Sequence, residues 1–244
     1  MRRALLLLVV LSAFVAGCES KYKDPDPVAM GYDYYPLEIG QYRVYNVTDI
    51  RVSNNISHTS QFQLRERVDT SFHDQTGQLV YKIVRSVRPN ENSGWLDDSV
   101  IIVNKSERMV LAMKDNTKYI KMVFPVDRQK IWEMDAYNNR VIVDSVARLY
   151  QIKERYTYEN VDQSFNIEDI EFSNTVTVKP IVHFVEGRID ERREVYARNI
   201  GLVYRLFNKS TPCEFTSRND CPKNVGWIAS GHEREEILIE HGKL

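Results

Sequence analysis

Five histidines, His58, His73, His183, His232 and His241, are the first residues to weigh for metal or acid–base chemistry. No HExxH motif is present and no two histidines stand four apart, the spacing a helical zinc site needs. The densest group of ligand-type side chains is His232 with Glu233, Glu235 and His241. On a strand, His232 and His241 are an odd number of residues apart and face opposite sides. The group therefore predicts surface histidines and solvated acids. Asp97-Asp98 offers two carboxylates for proton transfer, but strand neighbours point apart and nothing beside them would raise one pKa. A GxSxG elbow, a GxGxxG loop and a P-loop are all missing from the sequence. Arg188, Arg192, Arg193 and Arg198 interleave with Asp190, Glu191 and Glu194, which predicts an internally neutralised sheet face and not an anion site. The expectation is a protein that is no enzyme and uses neither metal nor cofactor.

Cysteine and the large aromatics offer other chemistry. Cys213 and Cys221 stand in "TPCEFTSRNDCP". Outside the cytoplasm such a pair is normally oxidised, and closing so short a loop contributes about 2–3 kcal/mol. Metal ligation is the competing reading, but two cysteines with no nearby histidine make an incomplete site. Tyr32, Tyr34, Tyr35, Tyr42 and Tyr45 lie close together, with Trp95, Trp132 and Trp227 elsewhere. Of these, Tyr35, Tyr42, Trp95, Trp132 and Trp227 are candidates to line an apolar ligand cavity in a curved sheet. The same residue types also fill the cores of β domains.

Positioning such residues falls to strands. In "QFQLRERVDT" the even positions Phe62, Leu64 and Val68 are apolar, while Gln63, Arg65, Arg67 and Asp69 are polar. This is the period of a strand with one face buried. "DQTG" supplies a turn, after which Leu79, Tyr81 and Ile83 resume the apolar face. "PNENSG", "NKSER" and "KDNTK" punctuate the strands that follow, and Asn199-Ile200-Gly201 forms a tight connection between "REVYAR" and "GLVYRLF". "EEILIEH" is the last strand. "DRQKIWEMDAY" could form one or two helical turns, and "NVDQSFNIEDIEF" fits either state. Short turns between adjacent strands predict a mainly β protein, an antiparallel meander folded as a curved sheet, sandwich or incomplete barrel. "YYPLEIGQYRVY" and "VFPVDRQKIWEM" echo each other, which suggests two related halves meeting near residue 124.

The chain's start predicts its address. Arg2 and Arg3 precede an apolar run, Ala4 to Val15, and the small residues Ala16 and Gly17 follow. A basic region, an apolar core and small residues at a cut are the anatomy of a secretory signal peptide. The run is shorter than the roughly 20 apolar residues of a membrane span. Val15-Ala16-Gly17-Cys18 resembles the lipobox of bacterial lipoproteins, which implies that the Cys18 thiol carries diacylglycerol and becomes the first residue after cleavage. Residues 1–17 are then the signal peptide, 18–30 the anchor and a polar, proline-punctuated tether, and 31–244 a single all-β domain. The chain has 33 basic and 34 acidic residues. Their signs alternate, giving no basic stripe for nucleic acid.

Tyr35-Pro36-Leu37 with Gly40, Phe124-Pro125 with Trp132, and Tyr196-Ala197 with Gly201-Leu202-Val203-Tyr204 together carry a wider resemblance. The chain is similar to a set of uncharacterised lipoproteins of the Bacteroidetes, which place an aromatic-Pro-Leu, a glycine and an aromatic-rich strand just after the anchor. It departs from them at Arg128-Gln129-Lys130, where a glycine turn is expected. The resemblance implies lipid attachment in the cell envelope, at the outer membrane, and a β fold. The functional expectation is a non-enzymatic binding module for a hydrophobic ligand or an envelope protein. The alternative is a structural or assembly lipoprotein without a ligand cavity.

Overall fold

The computed structural model describes residues 24–138, 154–182, 188–213 and 226–244. Cys18, Cys221, His183 and residues 1–17, expected as a signal peptide, lie outside the described residues. The fold begins with a short helix, α1 (Pro27–Met30), whose N-terminus is capped by the Asp26 carboxylate accepting from Val28 N. A 3₁₀ turn at Tyr32–Tyr34 follows. Met30 packs on the core, and its carbonyl accepts from Val126 N at 3.0 Å. Among the described residues a helix is thus present at Pro27–Met30, within the stretch expected as tether, because a side-chain cap and an apolar contact give these residues partners that composition does not reveal.

Twelve strands follow among the described residues: β1 (Gln41–Ser53), β2 (Ile56–His73), β3 (Leu79–Arg88), β4 (Leu96–Lys105), β5 (Met109–Lys114) and β6 (Thr117–Val123). The second six are β7 (Ile131–Glu133), β8 (Arg155–Ile167), β9 (Ile170–Pro180), β10 (Ile189–Ala197), β11 (Gly201–Pro212) and β12 (Ile228–Lys243). They form a single antiparallel sheet in the order β6-β5-β4-β3-β2-β1-β12-β11-β10-β9-β8-β7. Every neighbour in the sheet is also a neighbour in sequence, except that β1 pairs with β12. The meander predicted from the short turns is therefore the fold, curled until its ends nearly meet as a barrel.

Local chemistry sets the hairpins. Asn54 and Asn55, both at positive φ, join β1 to β2, and Asp115-Asn116 does the same between β5 and β6, the residues favoured in tight hairpin turns. Asp74 Oδ1 accepts from Thr76 N, Thr76 Oγ1 and Gln78 N, which fixes the "DQTG" turn. Asn199 and Gly201, both at positive φ, make the predicted connection between β10 and β11. "NVDQSFNIEDIEF" resolves as the β8–β9 hairpin. "DRQKIWEMDAY" forms no helix: Ile131–Glu133 pairs with β8, and the buried Trp132 spends its indole N–H on the Ile120 carbonyl at 2.9 Å. Tertiary partners override local preference here.

The two ends of the sheet, β6 and β7, meet at a seam. Ile120 N donates to Met134 O at 2.8 Å, and Tyr158 OH bridges the Val123 N–H and carbonyl at 2.8 and 2.7 Å. Among the described residues, six strands thus lie on each side of Phe124-Pro125. The core includes Tyr34, Tyr45, Leu64, Ile83, Val103, Met122, Tyr158 and Leu238, all buried, each contributing about 1.5–3 kcal/mol of apolar burial. Residues 27–40 fold across one end of the barrel. Arg198 fastens them by donating to Asp33 at 2.7 Å, to the Val28 carbonyl at 3.0 Å and to Asp162 at 2.7 and 3.1 Å.

Candidate functional site

Inside the barrel lies a cavity of about 240 Å³ whose lining is not the apolar one that the aromatic residues suggest. Tyr35, Tyr196, Ile83, Ile101, Ala112 and Leu202 supply apolar surface, but Arg43, Glu66, Arg85, Lys114, Lys121, Glu194 and Arg205 share the walls. Strand register brings these charges together. Arg43 stands directly opposite Glu66, Glu66 opposite Arg85, Glu194 opposite Arg205, and Arg205 opposite Glu236. Directly opposed residues on one face are the pairs that interact across a sheet.

The result is a continuous ionic network. Lys121 Nζ lies 2.6 Å from Glu194 Oε1, and Arg205 Nε lies 3.1 Å from the same oxygen. Arg205 Nη1 reaches Glu236 Oε2 at 2.7 Å, and Arg234 Nε reaches Glu236 Oε1 at 2.8 Å. Arg85 bridges Glu236 at 3.7 Å and Glu66 at 3.2 Å, while Arg43 stands 3.8 Å from Glu66. Tyr196 OH donates to Glu194 Oε2 at 2.6 Å. Burial alone would raise the Glu194 carboxyl, but Lys121 and Arg205 outweigh it and hold it down at about 2. Glu236 behaves alike: burial opposes its charge, yet Arg205, Arg85 and Arg234 keep it below the ordinary carboxylate range. Burial pushes the Tyr35 and Tyr196 hydroxyls upward, so both stay neutral donors.

One backbone position makes room for this arrangement. Gly201 sits at φ +94°, and a Cβ there would fall 2.7 Å from Arg43 Nη1. Glycine lets the Arg43 guanidinium cross the β10–β11 connection and donate to the Ile200 carbonyl at 3.1 Å.

The sequence-selected aromatics do not converge. Tyr35 lines the cavity. Tyr42 lies at the opposite surface, donating to Glu240 at 2.7 Å. Trp95 is sandwiched on the outer face by the guanidinium groups of Arg65 and Arg88, 4.6 and 4.3 Å from its ring. Trp132 is core, 4.6 Å from the Tyr158 ring. Trp227 is half-buried and accepts at its carbonyl from Cys213 N at 3.0 Å. Cys213 itself is buried, and its expected partner lies outside the described residues. His232 meets Asp49 at 3.1 Å and not a second histidine. Among the described residues no three His, Cys, Asp or Glu side chains gather as a metal site would need.

The arginine-rich stretch of β10 departs from the expected solvated face: Glu194 turns into the barrel, and Arg192 is held by Asp190 at 2.6 Å and Glu154 at 2.8 Å. The cavity residues carried a legible signal. Arg43 is in phase with Tyr45, Glu66 with Leu64 and Val68, Arg85 with Ile83, and Glu236 with Leu238. A charge on the apolar phase of a strand marks a polar group inside. A second, larger groove of about 410 Å³ is lined by Asn46, Gln61, Gln63, Asn90, Glu91 and Glu168 among others. It holds amides and acids without the interlocked cations of the interior.

No protein-family model and no curated protein matches the chain. Among solved structures, the chain is similar to a DUF1329 family protein from Desulfovibrio piger, at 11% identity, over 84% of this chain and 86% of that one, with a TM-score of 0.19. At that TM-score the likeness carries no argument about fold or function.

Proposed function

We propose that the protein is a lipid-anchored binding module of the cell envelope that holds a small ligand inside its barrel, without transforming it. The observation that carries this reading is the interior cavity, lined by residues from both runs of described strands and by Tyr35 of the end-covering segment. Barrels with more strands than side chains can fill leave interior space of this kind. The lipobox at Cys18 supports the address. Convergent buried polar groups would also serve an enzyme, but here the Glu194 and Glu236 carboxylates are held by cations and driven away from neutral pH. Neither is poised to take up a proton near pH 7, which favours binding over acid–base catalysis.

Native mass spectrometry of the full chain, released from its own membranes, tests the reading. The expected result is a small-molecule adduct that disappears in Ala112→Trp, whose added ring fills the cavity. A bare chain, or an adduct untouched by that substitution, overturns it. A stoichiometric protein partner without a small molecule would point to the structural lipoprotein reading instead.

A further inference from the structure

The charges around the cavity do not balance. Five basic residues line it, Arg43, Arg85, Lys114, Lys121 and Arg205, against the two acids Glu66 and Glu194. Glu236, paired with Arg205 and Arg85 from behind, raises the acids to three. Arg234 also touches Glu236 but is matched by Asp49 at 3.2 Å. Two more basic than acidic side chains thus surround a cavity that is partly open to solvent, and the costly charge is the one held away from water.

Two of the cations carry that excess. Arg43 is only 4% exposed, its approach to Glu66 is loose at 3.8 Å, and its buried Nε has no hydrogen-bond acceptor. Lys114 lines the cavity without an ion-pair or hydrogen-bond partner among the described residues. Arg43 thus has an unfilled donor away from water, and Lys114, half-buried, adds a charge that is free to meet an incoming anion. The neutral hydroxyls of Tyr35 and Tyr196 add donors to the same wall, and Ile83, Ile101 and Ala112 supply an apolar flank.

Resting on the reading of the interior as a ligand site, we infer that the cavity binds an anionic group of the phosphate or carboxylate type, seated between Arg43 and Lys114. At about 240 Å³ the space falls below that of drug-sized ligand pockets. It suits a small anion or the head group of an amphiphile, and not an entire lipid. Guanidinium and ammonium donors around a phosphate are the strong, charge-assisted class of hydrogen bond.

Calorimetric titration of the detergent-solubilised full chain with three probes tests this: inorganic phosphate, hexyl phosphate and hexanol. Hexyl phosphate should bind at one site, at least tenfold more tightly than hexanol. Lys114→Gln should weaken it about tenfold; because Lys114 has no ionic partner to strand, that variant keeps its fold. Arg43→Gln should weaken binding further, with circular dichroism confirming that the sheet persists. Inorganic phosphate binding as tightly as hexyl phosphate supports the anion site with a free anion as its source. Tighter binding of hexyl phosphate supports a head group. Hexanol matching hexyl phosphate overturns the anion assignment while the native adduct still marks a ligand site. Binding of hexyl phosphate that Lys114→Gln leaves unchanged overturns the seat.

Discussion

Glu194 accepts from Lys121, Arg205 and Tyr196 at once, and a carboxylate so held stabilises the fold only while ionised. Its pKa drops from the ordinary 4.5 to about 2. A depressed acid contributes stability that is complete above its unfolded pKa and is lost as pH falls through the folded one. The window for Glu194 is therefore from about pH 4.5 down to about 2. The shift corresponds to roughly 3 kcal/mol. Glu194→Gln should cost about that much near neutral pH, because it leaves the half-buried Lys121 and Arg205 without their shared carboxylate. Urea denaturation of both proteins across this range checks it: the gap should narrow toward pH 2. A gap that stays constant from pH 7 to pH 2 contradicts the assigned role. Glu194 also shows where the sequence misled. Its neighbours alternate in charge, so the stretch looked neutralised among its own residues. In the fold its counterions come from β6 and β11, and no local pattern announces them.

The segment between α1 and β1 is the element on which the barrel's end depends. Tyr34 is fully buried and donates to Asp162 at 2.7 Å; Tyr32 packs edge-on against Phe124; Tyr35 faces the cavity. Lys105 Nζ pins the turn by donating to the Tyr32 and Tyr35 carbonyls at 2.7 and 2.8 Å. Gly40, at φ +86°, then lets the chain enter β1 while its N–H donates to Val68 O at 2.9 Å. A soluble form starting at Asp26 should melt like the mature domain. One starting at Gln41 should lose several kcal/mol through the lost packing of Tyr32, Tyr34 and Tyr35 on the core and open the cavity. Circular dichroism melts compare the two, and equal melting temperatures would show the segment to be dispensable. This element was half legible. Proline and glycine punctuation marks the entry to β1, whereas the Arg198 clamp joins residues distant in sequence.

For the whole molecule, strand periodicity and short turns were enough to foresee one antiparallel meander, because each strand pairs with its sequence neighbour. Closure was not legible. The β1–β12 pairing joins opposite ends of the chain, and the seam between β6 and β7 joins opposite ends of the sheet, where Trp132 reaches Ile120 through its side chain from a stretch that also reads as a helical turn. The aromatic residues drew attention away from the interior, where charges in phase with Leu64, Ile83 and Tyr45 are what a ligand would meet. The proposed address makes a separate prediction. Cys18→Ser should abolish incorporation of a fatty-acid analogue in metabolic labelling, and undiminished labelling would rule out that anchor. The central claim is that the barrel interior is occupied by a ligand in its natural setting. A high-resolution crystal structure of the chain purified from its own membranes tests it most directly. Density for a non-water molecule within hydrogen-bond distance of Arg43 and Lys114 is the expected result; a cavity holding only ordered water would contradict the assignment.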